Sequence, residues 1–417
     1  MFRQGHLTRI AATPLGNSIG WVYMELTRYL GMKPGEHEYK VMGLAPYAKP
    51  ESVERVYRHI GRIVWLDPKN PLQHRAAFDT HQTSRFMQER LAGYRFDDIA
   101  GAFQRLLEEL LCAWVQEAVR ATGIRTVTVG GGVFMNVKAN QRIAELPEVE
   151  RFFAAPTCGD ESNGIGACWQ AYAQVRRAQG LTPAIQPFDT LYWGPEFSDE
   201  EITDYLRERR AERRYRVEVV PEIEERIAEL LAAGDIVARC SGRMEWGARA
   251  LGNRSLLAHP SDPDTVRVIN EYIKMRDFWM PFAPSVLAER AVDYIVNPKG
   301  IPARFMAITF DSTLRGRQEL KAAVHPYDFT LRPQLVDEVT NPGYYRILKA
   351  FERRTGLGAV LNTSFNLHGE PMVLGPREAM KAFVESGLPH LALGHVLLSK
   401  VTARESLPGA ASAAMRA

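Results

Sequence analysis

The densest chemistry in this sequence lies in Ser241-Gly242-Arg243-Met244-Glu245-Trp246-Gly247-Ala248-Arg249-Ala250-Leu251-Gly252-Asn253-Arg254-Ser255. Arg243, Arg249 and Arg254 alternate there with Gly242, Gly247 and Gly252. Planar guanidinium groups bind phosphate through two parallel hydrogen bonds. Glycine lets a loop close around such an anion. Asn270, Lys274 and Arg276 follow, just before the stiff turn Pro281-Phe282-Ala283-Pro284-Ser285. Further on stands Leu361-Asn362-Thr363-Ser364-Phe365-Asn366-Leu367-His368-Gly369-Glu370-Pro371. Its small polar side chains suit a planar amide and a phosphate held together, and equally suit a Ser/Thr or Asx turn ahead of a glycine turn. His325 and Arg332 are weaker candidates.

Two segments of the first half could also meet a ligand. Gly130-Gly131-Gly132-Val133-Phe134-Met135-Asn136 joins a predicted strand to a predicted helix. Backbone N–H groups at such a junction approach a phosphate or a ribose. The alternative is a plain glycine-rich turn. Pro156-Thr157-Cys158-Gly159-Asp160-Glu161-Ser162 places two carboxylates after a strand, where α/β proteins set ligand sites. Asp160 there could ligate a metal, or simply favour a helix N-terminus. There is no Gly-Lys-Ser/Thr P-loop, His-Glu-x-x-His or Gly-x-Gly-x-x-Gly.

These segments need elements to hold them. Apolar spacing predicts a helix ending at Gly31 and a long one from Phe96 to Gly123. The stretch Glu38–Tyr47 reads as turn formers among aromatics. Strand Thr126–Val129, helix Asn136–Glu145, strand Arg151–Ala155 and helix Ser162–Arg177 alternate as α/β architecture requires. Residues 179–190 read as a linker. A second α/β unit follows, with helix Ile223–Ala233, strand Ile236–Arg239 and strands near 304–310, 359–362 and 395–401. The expected division is 1–180, 190–405 and a frayed tail at 406–417.

The 417 residues are 46% hydrophobic and 24% charged, which supports a sizeable core and excludes long disorder. The net charge of +3 gives little support to a nucleic-acid partner. The 4 cysteines form no C-x-x-C pair, so reduced thiols and a cytoplasmic location are expected. No apolar run approaches the ~20 residues of a membrane span, and no secretory signal is evident at the start.

With these segments in view, the sequence resembles the O-carbamoyltransferase family that includes nodulation and antibiotic-tailoring enzymes. The resemblance is carried by Glu38–Tyr47, Gly130–Asn140 with Cys158–Gly166, Gly242–Pro260 with Ile273–Ser285, and Leu361–Pro371. It implies an actin/sugar-kinase-like (ASKHA) lobe over 1–180, followed by a YrdC-like α/β domain over 190–405. It also implies carbamoyl phosphate, ATP with magnesium, and a divalent metal, iron in the family. The carbamoyl group would pass through a carbamoyl-adenylate to a hydroxyl of a small-molecule acceptor. By the same resemblance Lys274, Arg249, Asn362 and Ser364 are catalytic. Gly131, Gly132, Asn136, Arg243, Arg254, Ser255, Arg276 and Asn366 bind nucleotide or carbamoyl phosphate, and Asp160 is a metal ligand.

The family pattern also includes an earlier region bearing His-x-x-x-His. His6, His37, His59, His74 and His81 contain no such pair. The expectation is therefore an incomplete lobe, weak retention of iron, and a requirement for a second copy or a separate lobe as partner. Two other readings stand beside this one. One is a tRNA threonylcarbamoyl-type enzyme, and the other is a non-catalytic nucleotide- or carbamoyl-phosphate-binding remnant or subunit.

Overall fold

A computed structural model describes residues 1–3, 6–187 and 189–400. The expected tail at 406–417 lies outside them. The first half is built around helix Phe96–Thr122, which begins with Asp97 and Asp98 and ends at Gly123 with φ 69°. An acidic first turn and a left-handed glycine are the favourable ends for a helix. Against it pack helices Ile19–Tyr29, Pro50–Ile60 and Val137–Glu145 and the antiparallel pair Val64–Asp67 and Asn70–Ala76; helix Val137–Glu145 joins the parallel pair Thr126–Val129 and Arg151–Ala154.

Glu38–Leu44 is a helix, followed by a 3₁₀ turn at Ala45–Tyr47, and not the loop that its composition suggested. Val41, Met42 and Leu44 are buried, so tertiary packing overrides the glycine and the proline.

The second half is a mixed sheet of 8 strands. Their order is Gln334–Val336, Ala283–Leu287, Ala359–Ser364, Arg254–Ala258, Val237–Cys240, His390–Leu393, Val396–Lys400 and Tyr215–Val219. Strand residues alternate between faces. Val237, Leu257, Val360, Ala392 and Leu397 therefore pack under helices Ile223–Ala232 and Pro342–Thr355. Ala238, Leu256, Leu361, Leu391 and Leu398 face the opposite side, with helix Pro376–Glu385. Both faces are covered, as near-continuous apolar strands require. Only Phe310–Asp311 of the segment near 304–310 is a strand. Before it, the backbone is tied by other partners: Leu335 N–H donates to the Ala303 carbonyl and Asn140 Nδ2 to that of Ala307.

The apolar core of the first half does not stop at residue 180. It takes in Val286, Tyr294, Ile295, Ile308, Phe310 and Leu331. Lys299 Nζ donates to the carbonyls of Ala144, Leu146 and Val149, and Lys138 pairs with Asp328. Among the described residues, no helix is long and apolar enough to cross a membrane.

Candidate anion-binding cleft

The loop 245–254 leaves the sheet after strand Val237–Cys240 and returns as strand Arg254–Ala258. Gly247 (φ 108°) and Gly252 (φ 112°) reverse its direction in a region closed to most side chains. A Cβ on Gly252 would lie 2.3 Å from the Tyr344 ring, so only glycine fits. Below the loop the strands turn polar. Arg239, Ser255, Ser285, Gln334 and Asn362 are all buried. Asn362 Nδ2 donates to the Ala250 carbonyl and to Ser285 Oγ, at 3.1 and 3.0 Å. Gln334 Nε2 and the Tyr192 hydroxyl both donate to the Leu251 carbonyl, at 2.8 and 2.7 Å. Trp246 stacks on Trp193 with ring centroids 5.6 Å apart.

This scaffold presents Arg249 to two other arginines, one of which lies near Lys274. Arg249, Arg276 and Arg332 lie within one another's electrostatic field, and Lys274 within that of Arg276. The arginines are half-buried and still open to solvent. Lys274 is 2% exposed. Among the described residues no carboxylate forms an ion pair with any of the four. Burial first, and then Arg276, push the Arg249 guanidinium down to about 10. Burial, then Arg249 and Arg276, lower Arg332, whose Nε has no partner. Lys274 is held well below the ordinary lysine value, by burial and then by Arg276. Its Nζ donates to Ser364 Oγ at 3.1 Å and to Asn366 Oδ1 at 2.5 Å. Like charges gathered without counter-charge favour an anion between them.

The first half closes this cleft. Phe134, Met135, Thr157 and Cys158 line a small cavity together with Ala248 and Arg249. Tyr39 lies within the field of Arg249 and Arg276. Burial raises the Cys158 thiol to about 11, which leaves it a poor nucleophile. Four sequence segments therefore converge: the glycine turn, the Thr157–Cys158 loop, the Arg/Gly loop and the Ser364–Asn366 element.

Other residues singled out from the sequence stand elsewhere. Arg243 is exposed and donates to the Tyr192 and Trp193 carbonyls. Arg254 is fully buried, and its guanidinium donates to the carbonyls of Leu374, Ser241, Gly242, Asn253 and Pro195. Ser255 Oγ accepts from Gly252 N–H. Asn136 caps its helix through Ala139 N–H and is locked to Gln104, while Gly131 (φ 96°) and Gly132 open onto free space. Asp160 is exposed on the turn Asp160–Ser162. No group of three His, Cys, Asp or Glu side chains assembles among the described residues, so they do not fit a metal centre. Composition alone missed Tyr39 and Glu245 and undervalued Arg332. The first is an ordinary helix residue in sequence, and the second is an acid where cations drew attention.

Residues 1–169 match the family model described as Carbamoyltransferase N-terminus, and 228–400 match Carbamoyltransferase C-terminus. The Methanocaldococcus jannaschii protein MJ1058 is 33% identical over 397 residues, covering 93% of this chain and 63% of the relative. Nodulation protein NolO of Bradyrhizobium diazoefficiens is 30% identical over 402 residues, covering 94% of this chain and 71% of its own length. The chain thus spans about two thirds of the length of these relatives. Full-length HypF in its phosphate- and nucleotide-bound form matches at 19% identity with a TM-score of 0.28, over 42% of this chain and 20% of that one.

Proposed function

The chain belongs to the carbamoyltransferase family, and from that premise we propose that water releases the phosphate of carbamoyl phosphate to leave carbamate, that carbamate displaces pyrophosphate from the α-phosphate of ATP to make a carbamoyl-adenylate, and that a hydroxyl of a small-molecule acceptor takes the carbamoyl group with release of AMP. The observation that carries this reading is the cleft of Arg249, Arg276, Arg332 and Lys274, which no carboxylate pairs with among the described residues. Two phosphate-bearing substrates supply the missing negative charge. Arg249, Arg276 and Arg332 neutralise their phosphates, and each charge-assisted contact is worth roughly 1.5–3 kcal/mol. Ser364 and Asn366 hold Lys274 and offer hydrogen bonds to a planar carbamoyl group. In this reading the half containing Gly131 and Gly132 is ASKHA-like, and the 8-stranded sheet is YrdC-like.

The test is pyrophosphate release from ATP, assayed with and without carbamoyl phosphate. Release that depends on carbamoyl phosphate and falls at least about tenfold in Arg249→Ala is expected. Binding of both ligands without any release favours the non-catalytic reading. Helix Asn163–Ala178, with only Ala173 buried, is the surface we propose for a second copy or a partner lobe, and light scattering over a concentration series reports it.

A further inference from the structure

We propose that Glu245 is the positioning residue of the cleft: its carboxylate fixes the backbone of loop 245–254 and thereby holds Arg249 against Arg276 and Arg332. The inference rests on the carbamoyl phosphate reading above and adds to it a residue that never touches the ligand.

Three guanidinium groups with no acid between them repel one another, so Arg249 needs something other than charge to keep it in the cleft. Among the described residues its side chain makes no ion pair. The constraint comes through the backbone. Glu245 is 2% exposed. Its Oε1 accepts from the N–H groups of Leu251, Asn253 and Arg254 at 2.6, 3.2 and 3.2 Å. One oxygen thus gathers three amides from the returning limb of the loop, while Gly247 and Gly252 supply the reversals. Asn362, Gln334 and Tyr192 fix the neighbouring carbonyls of Ala250 and Leu251. Arg249 stands at the apex, between a pinned base and a pinned return.

A carboxyl oxygen suits this task, since its lone pairs can accept several N–H bonds at once. A glutamine would bring a weaker acceptor, and an NH₂ group where Oε2 is buried without a partner. The Arg239 guanidinium, which donates to the Gly252 carbonyl and to Asn253 Oδ1, lies close enough to offset the carboxylate charge.

The test uses the full chain and a double-mutant cycle with E245Q and R249A, with E245D in the same cycle should E245Q fail to fold. Hydrogen exchange reads the amides of Leu251, Asn253 and Arg254. Calorimetry reads affinity for carbamoyl phosphate, and for inorganic pyrophosphate as a second anion. E245Q is expected to speed exchange at those amides at least about tenfold and to weaken carbamoyl phosphate about tenfold. In the R249A background it is expected to change the affinity no further. Unchanged exchange overturns the anchoring role. Faster exchange with full affinity, or an equal loss in both backgrounds, overturns the action through Arg249. A wild-type chain that binds pyrophosphate but not carbamoyl phosphate overturns the donor assignment alone, and the cycle is then read with pyrophosphate. Binding of neither overturns both.

Discussion

Two arginines of one segment do opposite things. Arg254 donates to five backbone carbonyls and is part of the structure, whereas Arg249 has no such partners among the described residues and sits among cations. Thermal denaturation separates them. Arg254→Ala leaves buried carbonyls unpaired and is expected to cost about 3 kcal/mol or more. Arg249→Ala relieves repulsion and is expected to leave the melting temperature unchanged or higher. Lys274 adds a pH dependence. Its depressed folded value means that its charge opposes folding in full below that value, and the penalty fades as pH rises toward the ordinary lysine value of ~10.4. A bound anion restores the higher value. Carbamoyl phosphate binding between the depressed and the ordinary lysine value is therefore expected to take up protons, and calorimetry in buffers of different ionisation enthalpy measures it. The uptake should shrink in Lys274→Met. The residue types of Arg249, Lys274, Ser364 and Arg276 pointed to an anion, and the structure brings these residues together. Which arginine stays free of backbone partners was not legible, because carbonyls that claim a guanidinium leave no mark on the sequence.

At the scale of elements, the loop 245–254 works because its glycines lie where no other residue fits. Gly252→Ala puts a Cβ into the Tyr344 ring at a positive φ and is expected to cost about 2–4 kcal/mol, read as a lower denaturant midpoint. Apolar period marked Phe96–Thr122, Thr126–Val129 and Val137–Glu145 with little error. It failed at Glu38–Leu44, where Gly43 and the following Pro46 signalled a turn. There the close approach of Gly43 to the Trp279 carbonyl, 3.4 Å from a notional Cβ, favours a small residue in a packed helix. Such a contact spans more than two hundred positions of chain, beyond the reach of any local pattern.

At the scale of the whole molecule, the linker at 179–190 suggested a boundary that the packing does not respect. The core around helix Phe96–Thr122 includes Tyr294, Ile308 and Phe310, and Lys299 seals the end of helix Val137–Glu145. A fragment of residues 190–405 would expose that apolar face, and patches beyond a few hundred Å² promote association. The fragment is expected to aggregate or to bind a hydrophobic dye such as ANS, and co-expression with residues 1–187 is expected to restore a soluble complex. Gel filtration of the two preparations decides it.

The stacked indoles of Trp193 and Trp246 lie at the root of the same loop. Two identical chromophores 5.6 Å apart and tilted by 29° share their excited states, and the coupled pair rotates polarised light with a paired positive and negative band. The molecule thus carries its own optical gauge of loop order, with no label attached. Circular dichroism in the indole absorption bands should lose that pair of bands in Trp193→Phe. It should keep them in any variant whose loop stays closed.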